Sequence, residues 1–66
     1  MMTAVSVEDM AVCAEREVAY RQRVYPRWVK LGRMTQAKAD REIAAMQAIV
    51  DHLRAAAPAD RDLFGQ

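Results

Sequence analysis

Between Val18 and Lys38 the chain carries six basic side chains and no acid: Arg21, Arg23, Arg27, Lys30, Arg33 and Lys38. Tyr20, Tyr25 and Trp28 are interleaved with them. Guanidinium groups beside aromatic rings suit two kinds of recognition. They anchor desolvated protein interfaces, and they hold phosphates and stack on bases. A third arrangement needs no partner: the arginines pair with Glu15, Glu17 or Glu42, and the rings belong to a core. The segment alone leaves all three open. If it binds a partner, Arg23, Tyr25, Arg27 and Trp28 are the candidate contact residues.

Covalent and metal chemistry have little to work with. There is one cysteine, Cys13, and one histidine, His52. A thiol nucleophile needs a base, an oxyanion site and a concave pocket, and a pair of helices hardly encloses one. Glu15 and Glu17 are two residues apart, so on a helix they point to different faces. No Gly-rich phosphate loop and no metal-ligand spacing occurs. The expectation is a binding protein rather than an enzyme, with no cofactor and no metal.

Two helices must position these residues. Ser6 is the expected N-cap of the first, with Glu8 and Asp9 complementing the dipole in its first turn. This helix is expected from about Val7 to Leu31. Gly32 then takes the left-handed position that ends it. Thr35 caps a second helix, from about Gln36 to Ala57, which Pro58 stops. The link from Gly32 to Thr35 has the length of an antiparallel helical hairpin. Pro26 lies inside the first pattern and removes the bond to the Gln22 carbonyl. The apolar spacing continues beyond it, so a kinked but continuous helix is expected.

The second helix is the more regular. Ala39, Ile43, Met46, Val50, Leu53 and Ala57 follow one another at steps of four and three, a heptad-like seam. Ala45, Ile49 and Ala56 widen it, while Asp40, Gln47, Asp51 and Arg54 lie opposite. Ile43, Met46, Val50 and Leu53 are the expected core or dimer residues. The helix is about 33 Å long. In the first helix Val7, Met10, Ala14, Val18 and Tyr25 form a stripe that Arg21 interrupts. Val24, Trp28 and Leu31 form a second, shorter one.

Composition limits the whole. Sixty-six residues form one small domain, and 13 of them are alanine, so the core is thin. A lone cysteine excludes an internal disulfide, which leaves oligomerisation as the stabilising device. One hairpin cannot cover so wide a face on its second helix. A homodimer forming a four-helix arrangement is therefore expected. Net charge is +1, so bulk charge calls for neither nucleic acid nor membrane. No apolar run reaches the roughly 20 residues of a spanning helix. The first seven residues lack the pattern of a signal peptide. A free thiol fits a reducing cytoplasm. Asp60 to Gln66 reads as a polar, loosely held tail.

Three blocks carry a resemblance. They are Arg21 to Val29 (RQRVYPRWV), Gly32 to Thr35 (GRMT) and Ala37 to Met46 (AKADREIAAM). At this separation they resemble a family of small proteins encoded by phages and prophages of proteobacteria, over roughly residues 16 to 54. That family includes a Pseudomonas phage anti-activator of quorum sensing. The resemblance implies a dimerising two-helix hairpin in the host cytoplasm. It also implies a host protein as partner: a LuxR-type transcriptional activator such as LasR, kept from its DNA, and also the type IV pilus assembly ATPase. A small nucleic-acid-binding phage regulator, using the basic face from Arg21 to Lys38, is the alternative. A helix-turn-helix reader wants a third helix and a polar recognition helix, which this pattern lacks.

Overall fold

A computed structural model describes residues 4–56. They form two α-helices, α1 (Val7–Lys30) and α2 (Gln36–Ala56), packed as an antiparallel hairpin. The expected stop at Pro58, the seam residue Ala57 and the tail from Asp60 lie outside the described residues.

The helix ends follow from local chemistry. Ser6 is extended, and its Oγ accepts a bond from the Asp9 N–H at 3.0 Å. Thr35 Oγ1 accepts from the Lys38 N–H at 3.1 Å in the same way. At the end of α1, Gly32 adopts φ +78. The Gly32 N–H then donates to the Val29 carbonyl at 3.0 Å, and the Arg33 N–H to the Trp28 carbonyl at 2.8 Å. These two bonds close carbonyls that would otherwise lack partners and turn the chain toward α2. Pro26 sits within an unbroken α1. Gln22 and Pro26 are both exposed, so water can reach the carbonyl that proline leaves without its donor.

Ala14, Val18 and Val50 form the centre of the core, with Met46 and Leu53 packed against it. Ala11, Tyr25 and Ala39 are buried above and below. Ile43 is half-buried at the edge of this seam. Two expectations need correction. Met10 is 41% exposed, and its neighbour Ala11 is the fully buried residue, because alanine lets the backbones approach where methionine would hold them apart. Arg54 is not on the far side of α2; its long side chain reaches across to α1. Its guanidinium donates to Glu15 at 2.7 and 2.8 Å and to Glu8 at 2.9 and 3.0 Å.

Candidate interaction surfaces

Two arginines define the two open sides of the hairpin. Arg54 joins Glu8 and Glu15 on one side. Arg21 occupies the other. Its Nε donates to Glu17 Oε2 at 2.9 Å, and its Nη1 donates to the Glu42 carbonyl at 3.0 Å and lies 3.7 Å from Glu42 Oε1. The hydrogen bond that Arg21 donates to Glu17, and those that Arg54 donates to Glu15 and then Glu8, hold both guanidinium groups above the ordinary arginine range. The interruption of the α1 stripe by Arg21 is thus satisfied within the hairpin, at the edge of the packed face. Of the acids considered as partners for the basic segment, Glu17 and Glu42 serve Arg21, while Glu15 serves Arg54.

Residues seven apart on a helix lie on nearly the same side, so these pairs label everything above and below them. The Arg54 side runs Glu8, Glu15, Gln22 on α1 and Asp40, Gln47, Arg54 on α2. It is polar except at Val29, which follows Gln22 by seven and is half-buried. The Arg21 side runs Met10, Glu17, Val24, Leu31 on α1 and Glu42, Ile49, Ala56 on α2. Away from the ion pairs it is apolar, and Ile49 is 47% and Leu31 61% exposed. Ala45 extends it, in a row with Lys38 and His52, and Cys13, Tyr20 and Arg27 flank it. The first side is the more polar and the second the more apolar.

A third surface is the outer ridge of α1, turned away from α2. Asp9, Arg16, Arg23 and Lys30 follow at intervals of seven, and Arg27 joins them one turn from Arg23; all five are exposed. Arg23 lies over the Tyr20 ring at 5.6 Å. Among the described residues Arg23, Arg27 and Lys30 form no ion pair, so their charge is available to a partner.

The four residues selected as partner contacts therefore divide. Arg23 and Arg27 stand on the outer ridge. Trp28 is half-buried. Tyr25 is only 9% exposed, stacked on Trp28 at 5.4 Å with Arg21 over its ring at 5.9 Å, so it offers a partner little surface. Tyr20 is the ring that faces solvent. Its spacing of three from Arg23 is the signal that points to it.

No family model, curated protein or solved structure matches this chain.

Cys13 is exposed, with its Sγ 3.9 Å from Arg16 Nη2. Among the described residues no hydrogen bond joins it to His52, which is exposed on α2. No described helix is long and apolar enough to cross a membrane.

Proposed function

We propose that this chain is a phage- or prophage-encoded anti-activator, a homodimeric hairpin that binds a host regulator in the bacterial cytoplasm and keeps it from DNA. The blocks from Arg21 to Met46 suggest the class of partner, a LuxR-type transcriptional activator. The observation that carries a binding role is the outer ridge of α1. A well-formed helix presents Arg23, Arg27 and Lys30 with no acid of their own, beside the exposed Tyr20. Arginine and tyrosine on a rigid element are the usual anchors of a protein interface.

The sign of the charge constrains the mechanism. A basic ridge cannot imitate DNA phosphates. It has to seat against acidic groups beside the regulator's DNA-reading surface, so inhibition works by steric occlusion. The ridge of a helix about 33 Å long covers part of the roughly 800 Å² that one partner gives to a standard interface.

The test uses a purified LuxR-type regulator bound to fluorescent operator DNA, read by anisotropy. Adding the hairpin releases the DNA. The double variant Arg23→Glu, Arg27→Glu requires at least roughly tenfold more protein for the same release. If the variant is as effective as the parent, the ridge is not the contact surface. If the hairpin binds the DNA itself, with affinity falling steeply as salt rises, the nucleic-acid reading replaces this one.

A further inference from the structure

The dimer proposed above has no geometry until something selects one. The Arg21 side is the face to be covered: away from the ion pairs of Arg21 with Glu17 and Glu42 it is apolar, and Met10, Leu31 and Ile49 stand exposed on it. Two helices about 30 Å long and about 10 Å across present on the order of 600 Å² in projection, close to what each partner of a stable pair contributes. A second copy can close this face with twofold symmetry in two ways. In one, the axis runs along the helices, so turn meets turn and α1 lies on α2 of the partner. In the other, the axis runs across the helices, so each turn lies over the partner's open end and α1 lies on α1.

Charge decides between them. The turn half, residues 20–41, holds seven basic side chains and one acid, a net of +6. The open half, the described residues outside that range, holds two basic and six acidic side chains, a net of −4. Turn on turn sets +6 beside +6 and −4 beside −4. Turn on open end sets each half beside its opposite. Charges of the outer ridge and of the Arg54 side lie off this interface; on the Arg21 side and its flanks the turn half carries Arg21, Arg27 and Lys38 and the open half Glu17 and Glu42, so the signs of the two halves stay opposite although single contacts are weak.

We infer that a second copy of this chain covers the Arg21 side, antiparallel, with each turn over its partner's open end and α1 packed on α1. The arrangement leaves the outer ridge with Arg23 outside the interface. The variant Arg23→Glu, Arg27→Glu also cuts the charge of the turn half from +6 to +2, so its sedimentation is compared with the parent's before its effect on a regulator is read.

The test places a spin label at Arg33→Cys in a Cys13→Ala background and measures the distance between labels in the dimer. Each turn then lies about fifteen residues from the axis, so the antiparallel pair puts the labels about 40 Å or more apart. Turn on turn brings them below about 25 Å, and that result overturns the inference. Salt gives a second reading. The dissociation constant of the antiparallel dimer rises severalfold between about 50 mM and about 500 mM NaCl, where screening is strong. A constant that falls over that range overturns the arrangement as well. Ile49→Glu, on the apolar side, gives monomer in sedimentation, whereas Gln47→Glu, on the polar side, stays dimeric. If the unaltered chain sediments as a monomer, the inference is lost. If it is an antiparallel dimer that leaves regulator and DNA together, only the anti-activator reading is lost.

Discussion

Gly32 has a positive φ of +78, and a Cβ built there would meet nothing within 4 Å. Replacing it with alanine therefore introduces no clash, only the cost of holding a substituted residue in the left-handed region. Gly32→Ala is expected to lower stability by about 1 to 2 kcal/mol, read from the urea midpoint at unchanged slope. An unchanged midpoint would mean that the turn does not need the conformation described. The roles of Ser6, Gly32 and Thr35 were legible in the sequence because each depends on bonds to residues three to five positions away. Arg54 was not legible in the same way, since it reads as a solvent-facing charge. Arg21 reads as an intruder in an apolar stripe, and its pairing with Glu17 and Glu42 was one of three open readings of the basic segment. Each is a link between helices, because a guanidinium on a long stem can lie along a packed face and bind two acids beyond it.

Within α1 the telling residue is Pro26. It lacks the N–H that would bond to the Gln22 carbonyl, yet the helix passes through it. The tertiary packing of Tyr25 and Val18 holds turns that proline disfavours. Pro26→Ala restores the missing bond at an exposed site. It should stabilise the hairpin by about 2 kcal/mol, somewhat less than the full helix penalty of proline because the unfolded chain also gains freedom. Thermal melting followed by circular dichroism measures this, and a lower melting temperature would show that proline is needed for the approach of the helices. The boundaries of both helices were readable from caps and periodicity. The rotation of the N-terminal part of α1 was not. Apolar spacing admits either Met10 or Ala11 as the inward residue, and what decides is the distance between two backbones, a property of the pair that neither helix carries alone. Seven-residue translation from the two ion pairs is what finally separates a polar side from an apolar one.

For the molecule as a whole the question is whether one hairpin can stand by itself. Among the described residues the buried side chains are Ala11, Ala14, Val18, Tyr25, Ala39 and Val50, half of them alanine. At about 25 cal/mol per Å² such side chains contribute little against the entropy of ordering two long helices. The larger apolar groups Met10, Ile49 and Leu31 are outside that core, where the second copy inferred above would dehydrate them. Folding and association are then one equilibrium, and stability depends on protein concentration. The melting temperature is expected to climb by several degrees when concentration rises from about 2 µM to about 200 µM. Val50→Ala, which removes methyl groups from the core centre, should lower the curve by a similar amount at both concentrations. Ile49→Glu should abolish the concentration dependence itself. A melting temperature that stays constant across the range for the unaltered chain would show that the thin core suffices, and that the apolar side is reserved for a different partner.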